Sequence, residues 1–254
     1  MHGYSSILLK ATDTDIVVIC LSLFDQIGAD NLWIEFGTSR NLRLLPIHDI
    51  YKSLGPDRCK GLPFFHALTG CDATTAFVGY GKVSAWKVWE DFINEYTEFF
   101  VRLSFCTSAD DLSEDDFQII QTFVSSMYMK MKTFVRIDVN DARKKMFLSK
   151  GVSFDKLPPT KDVLYLKILR CIYQCIVWTN SLIKSPDLPS TQNYGWTLIQ
   201  GTLSFLWSSL PDVVKGCRDT FVKCNCKKSN CTKNCSCKRA KEPCTTLCGC
   251  NCYE

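Results

Sequence analysis

The sequence lacks the short motifs on which several large enzyme classes depend. It has no G-x-S-x-G nucleophile elbow, no P-loop and no dinucleotide fingerprint. Those absences exclude the usual α/β-hydrolase, P-loop and dinucleotide-dependent chemistries. Histidine is scarce, with only His2, His48 and His66. The most apolar long run, Val163 to Ile183, is interrupted by Lys167, Arg170, Gln174 and Asn180. That is the pattern of a packed helix in a soluble protein, and no bilayer span is expected. Met1 to Lys10 has no basic segment followed by an apolar one, so no secretory leader is expected. No internal repeat is visible, and the formal net charge is only +4.

Cysteine is the residue in excess, 16 in 254. Nine fall in one 29-residue stretch, Cys224 to Cys252. The other seven (Cys20, Cys59, Cys71, Cys106, Cys171, Cys175, Cys217) are scattered, mostly in apolar runs, where a free thiol behaves as a small hydrophobe. This distribution favours a reducing compartment over a secreted disulfide scaffold. Charge is uneven too. From Lys223 to Glu254 there are seven basic residues against Glu242 and Glu254, a net of +5 that leaves −1 for the remaining 222 residues. A near-neutral body with a basic tail points to a polyanionic partner for the tail.

The tail cysteines are spaced C-x-C-x4-C-x3-C-x-C-x6-C-x3-C-x-C-x-C: Cys224, Cys226, Cys231, Cys235, Cys237, Cys244, Cys248, Cys250 and Cys252. Zinc binds thiolates tetrahedrally at about 2.3 Å. So short a tail has no apolar core, and bound metal must supply its folding energy. Three zincs need about twelve ligand positions, which nine cysteines supply if three of them bridge. The stretches Cys224-Asn225-Cys226-Lys227-Lys228-Ser229-Asn230-Cys231, Cys235-Ser236-Cys237, Pro243-Cys244 and Cys248-Gly249-Cys250-Asn251-Cys252 resemble the tesmin/TSO1-like CXC family. The resemblance covers about an eighth of the chain. It implies three zinc ions and, often, DNA binding. Members that read DNA bases with a tyrosine carry it just before the fourth cysteine. Here that loop is Thr232-Lys233-Asn234, which leaves phosphate contacts through Lys227, Lys228, Lys233, Lys238 and Arg239 as the expected mode. The alternative for the tail is a structural zinc knot that docks a protein.

The body reads as α/β at its start and helical afterwards. Ile16 to Leu23 is a short β-branched run that predicts a buried strand of a parallel sheet. Asn31 to Phe36 and Leu42 to Ile47 predict two more strands. Helices are expected over Ile47 to Leu54, Cys59 to Thr69, Ala85 to Leu103, Phe117 to Met131 and Val163 to Ile183. Ser113 and Asp116 form a capping-box pattern ahead of Phe117. Tyr194 to Leu210 allows two short strands, with Trp196 and Trp207 packing rather than stacking on bases. Pro211 to Val222 reads as a connector.

Asp13-x-Asp15 precedes the first of these strands, and Leu68-x-Gly70-x-Asp72 supplies a third acid. Carboxylates at one edge of a parallel sheet can hold magnesium for phosphodiester cleavage. His66 stands close enough in sequence to share that cleft. The D-x-D pair, the L-x-G-x-D turn and the hairpin Gly79-Tyr80-Gly81-Lys82-Val83-Ser84-Ala85 follow in the order found in PIN-like, flap-endonuclease-type nucleases. The chain from Ala11 to Trp89 resembles the second half of such a domain. The resemblance implies catalytic roles for Asp13, Asp15 and Asp72, magnesium as their cofactor, and phosphate contacts at Gly79, Gly81 and Lys82. The family's first aspartate strand and Glu-rich helix lie upstream of the matched region, and the chain starts twelve residues before Asp13. An incomplete or vestigial nuclease domain is therefore the expectation. An active magnesium-dependent, structure-specific nuclease in a longer chain is the alternative. Without a metal, Asp13 and Asp15 serve as turn or cap residues and Asp72 caps a helix. Tyr194-Gly195-Trp196, Trp207, Leu210-Pro211 and Cys217 are similar to a set of transposon-associated animal proteins, a resemblance that carries no activity.

The expected organisation is an α/β part over 1–105, a helical region over 106–190, a connector over 191–222 and the zinc module over 223–254. The expected protein is nuclear, zinc-binding and DNA-associated.

Overall fold

The computed structural model describes residues 5–38, 41–148, 154–208, 224–227, 231–232, 234–241, 244, 248–250 and 252. The chain divides into a unit over Met1–Trp207 and a second over Ser208–Glu254.

Asp13 decides how the chain enters its first helix. Its backbone is extended, and its side chain accepts the Asp15 N–H at 2.9 Å, an N-cap for α1 (Thr14–Ser22). The strand expected over Ile16 to Leu23 is thus a helix. An eight-residue apolar run does not distinguish a buried strand from a buried helix, and here the cap and the burial of Val18, Leu21 and Ser22 decide for the helix. The parallel strand lies earlier, as β1 (Ser6–Ala11). After α1 and the short α2 (Phe24–Ile27), the chain returns as β2 (Asn31–Phe36), parallel to β1 in the register Ser6 to Asn31. The helical crossover is what a parallel pair requires. β3 (Arg43–Pro46) then pairs antiparallel to β2, with Trp33 opposite Pro46. Leu32 and Ile34 of β2 point into the core and are fully buried. Leu8, Trp33 and Leu44 are exposed.

Helices make up most of the rest of the first unit. α3 (Ile47–Leu54) leads into α4 (Pro56–Thr69), which packs against α1, α6 and α9. α5 (Lys82–Asp91) and α6 (Ile93–Ser104) replace the single helix expected over Ala85 to Leu103. Neither proline nor glycine marks the break at Phe92. The chain turns there so that Trp89, Phe92 and Tyr96 all enter one aromatic core, with the Phe92 ring 6.0 Å from Phe134. The capping box at Ser113 and Asp116 opens α7 (Glu114–Met129) as the sequence suggests. α8 (Val139–Leu148) and α9 (Lys161–Thr179) follow, and α9 contributes fully buried Leu164, Ile168, Cys171, Ile172 and Cys175 to the same core as Phe64 and Trp89. β4 (Trp196–Ile199) and β5 (Thr202–Phe205) form a hairpin whose turn residues Gln200 and Gly201 both have positive φ, as a type I′ turn requires. These are the two short strands allowed by the sequence. The connector read at Pro211 to Val222 lies outside the described residues. Among the described residues no helix is long and apolar enough to cross a membrane.

Two polar contacts in this core have measurable consequences. Pro63 lies inside α4, and the next backbone N–H, that of Phe64, is donated to Ser104 Oγ at 3.0 Å in a fully buried position. Ser104→Ala strands that donor and is expected to cost about 1–3 kcal/mol in urea unfolding. Asp116 is buried beneath Arg102. Burial acts to raise its carboxyl pKa, but the hydrogen bonds from Arg102 and Ser113 outweigh it and hold the group below its ordinary value. A depressed folded pKa gives stability that is present above the ordinary carboxylate range and is lost as pH falls through the folded value. Asp116→Asn should therefore cost about 2 kcal/mol at neutral pH. In unfolding curves at several pH values the gap from wild type should close as pH falls below the ordinary carboxylate range and through the depressed folded value.

Candidate metal centre and the aspartate edge

At the C-terminal end of β1 the two aspartates part company. Asp13 is exposed and spends one carboxylate oxygen on the α1 cap. Asp15 turns toward α4, where His66 Nε2 lies 2.8 Å from its Oδ1. His66 is itself buried, with its ring centroid 5.7 Å from that of Trp178 on α9. Burial, and then the positive charge of Lys82, hold its pKa below the ordinary histidine value against the pull of Asp15. Lys82 donates to the Gly70 carbonyl, and Lys167 donates to the Thr75 carbonyl and sits over the Phe77 ring. Between these lysine contacts runs the turn that carries Asp72. Gly70 has φ +111, and a Cβ there would lie 2.9 Å from Ala76 Cα, so glycine is needed for the L-x-G-x-D pattern to close. Asp72 is exposed on this turn. Gly79 takes φ +78, and Gly81 precedes α5 without a side-chain cap. Lys82, the third residue expected at a phosphate, is partly buried by its bond to Gly70. The edge therefore joins Asp15 to His66, near Lys82. Among the described residues, groups of three or more metal-capable side chains occur only in the cysteine tail.

Among the described residues of that tail the packed centre consists of cysteines. Cys224, Cys231, Cys235, Cys237, Cys248 and Cys250 are buried, with Cys226, Cys244 and Cys252 partly buried against them. The backbone brings the ends of the motif together through Gly249 N–H to the Cys224 carbonyl at 2.8 Å. A single helical turn, α10 (Ser236–Arg239), carries Cys237 inward. Sulfurs gather in three overlapping groups: Cys224 with Cys231, Cys235 and Cys244; Cys224 with Cys244, Cys248 and Cys250; and Cys231 with Cys250 and Cys252. Cys224 and Cys231 are 3.8 Å apart, Cys224 and Cys244 3.9 Å, Cys231 and Cys244 3.8 Å, and Cys224 and Cys250 3.5 Å. Cys237 approaches Cys248, and Cys252 approaches Cys231, each at 3.5 Å. A tetrahedral zinc with bonds of about 2.3 Å sets its sulfurs about 3.8 Å apart, whereas a disulfide needs about 2.05 Å. The separations fit metal ligation and are too long for disulfide bonds.

The local electrostatics point the same way. The backbone N–H of Lys238 pulls the Cys235 thiol down to about 6, and that of Cys252 pulls Cys250 down to about 7. A hydrogen bond with Cys250 pushes Cys244 up to about 12. Crowded sulfurs cannot all be thiolates without a cation between them. Lys227, Lys238 and Arg239 are exposed around the cluster, while Lys228 and Lys233 lie outside the described residues. No family model, curated protein or solved structure matches the chain.

Sulfurs shared between groups should matter most. Cys224→Ser, Cys231→Ser, Cys244→Ser or Cys250→Ser is expected to release more zinc per chain, measured by elemental analysis, than Cys235→Ser, whose sulfur belongs to one group.

Proposed function

We propose that the nine tail cysteines hold three zinc ions, with bridging thiolates, and that this module docks the α/β and helical body on DNA in the nucleus. The observation that supports it most is the run of sulfur separations between 3.5 and 3.9 Å, near the edge of a zinc–thiolate tetrahedron. Shared membership of Cys224, Cys231, Cys244 and Cys250 in more than one group supports bridging. Exposed Lys227, Lys238 and Arg239, with Lys228 and Lys233 in the same stretch, support contacts to phosphate rather than to bases. The body is read as a vestigial, PIN-like nuclease fold. The pairing of Asp15 with His66 and the use of Asp13 as a helix cap support a body that associates with DNA without cutting it.

Purified full-length protein should carry three zincs per chain. It should shift duplex DNA with little sequence preference, and log K should fall with log salt at a slope near −4 to −5, as expected of about five phosphate contacts. Flap DNA with magnesium should stay intact. Two zincs or fewer, or no shift at low salt, sinks the proposal. Cleavage that disappears in Asp15→Asn would restore the nuclease reading.

A further inference from the structure

Helix α5 and the C-terminal end of α7 enclose a cavity of about 260 Å³. Three exposed lysines line it: Lys87 on α5, Lys130 at the C-cap of α7, and Lys132 just beyond. Asp91 is the one acid in the lining, so the cavity carries a net charge of about +2. Among the described residues none of the three lysines has an ion-pair partner. The carbonyls at the end of α7 offset only about half a charge. Ammonium groups gathered around one cavity repel each other, and an anion relieves that repulsion.

The backbone adds an independent observation. Lys130 caps α7 in the left-handed conformation, with φ 51 and ψ 49. Glycine or asparagine is preferred there, because a Cβ is disfavoured. A lysine held in that conformation, with its side chain on a basic cavity, is where backbone strain and a binding role coincide. Aromatic and thioether side chains share the lining. Tyr80 donates its hydroxyl to the Tyr128 carbonyl at 3.2 Å and packs its ring 4.3 Å from that of Tyr128, while Met127 is buried beside it. A small cavity lined by cations and by aromatic and thioether side chains suits an anion joined to a flat apolar group. It lies just below the usual range of about 300–1,000 Å³ for ligand pockets, too small for an extended dinucleotide.

We propose that this cavity binds a single nucleotide unit, with Lys87, Lys130 and Lys132 on its phosphate and Tyr80 and Met127 against its base. The nucleotide could be free or part of a single strand, since both present the same chemistry. The site stands on α5, α7 and the residues flanking them, and does not depend on the zinc tail.

The test uses zinc-loaded full-length protein in equilibrium dialysis against AMP, inorganic phosphate and adenosine. AMP should bind saturably, phosphate more weakly, and adenosine not measurably. Lys87→Gln and Lys130→Gly should each weaken AMP about tenfold. Lys130→Gly should do so without lowering the melting temperature, because glycine suits the left-handed cap. Binding should survive zinc chelation, which separates this site from the tail. Displacement of AMP by a short single-stranded oligonucleotide would assign the site to a strand, and no displacement would assign it to free nucleotide. Adenosine binding as tightly as AMP, no saturable AMP binding below about 10 mM, or AMP binding unchanged in both variants would overturn it.

Discussion

The first unit is built around a helix that is buried on every face from Gly61 onward. α4 buries Cys59 and every side chain from Gly61 to Thr69, and it meets α1, α6 and α9. Its neighbours come close at Gly61, where a Cβ would lie 3.1 Å from Phe100 Cβ and 3.2 Å from the Trp89 ring. That close fit places Trp89 and Phe100 against Phe65, the centre of an aromatic cluster with centroid separations of 4.8 to 6.1 Å. Most of the stability of such a cluster comes from the apolar area removed from water, with the tilted and edge-on ring pairs adding a smaller increment. The position of α4 also fixes the aspartate edge. His66 sits in its last turn, so the packing of α4 against α1 and α9 places the imidazole between Asp15 and Trp178.

That placement changes the chemistry available at the edge. Hard divalent cations need several oxygens that are free to turn toward them. Asp15 instead faces an imidazole, with Lys82 near enough to shift the pKa of that imidazole. Asp13 is committed to the helix cap. The same D-x-D spacing that marks a metal site in a nuclease therefore works here as a cap and a carboxylate–imidazole hydrogen bond. The lysines next to it hold carbonyls: Lys82 that of Gly70, and Lys167 that of Thr75, across the core from α9. The turn bearing Asp72 is thus tied down from two directions. Its shape needs a glycine at Gly70 for steric reasons alone, whether or not a metal ever bound there.

Much of this was legible in the sequence where the signal is local. Ser113 and Asp116 state a capping box in four residues, and the structure contains it. The Asn31–Phe36 strand alternates buried and exposed positions as a half-buried strand should. Nine cysteines at short spacing announce a thiolate cluster without help from the fold. Where the signal is tertiary, the reading failed. Ile16 to Leu23 is as β-branched as any strand, and only the Asp13 cap and the crossover geometry make it a helix. Ser6 to Ala11 carries a strand that pairs through Lys10 and Glu35, yet it stands out little in composition. The break at Phe92 has no punctuating residue, because distant aromatic partners cause it. The basic cavity is of the same kind. Lys87 is 43 residues from Lys130, and no motif links them.

The tail inverts the logic of the body. In the first unit, burial of apolar side chains comes first and polar contacts fill the gaps that remain. In the tail the buried groups are themselves ionisable, and their charge state is the folding problem. The thiols share their stretch with a net charge of +5, counted over Lys223 to Glu254 with neutral sulfurs, so each proton lost from a sulfur meets a nearby cation. On α10 the inward residue is Cys237, while Lys238 and Arg239 are exposed. The turn that buries a sulfur is thus the one that presents two cations to solvent.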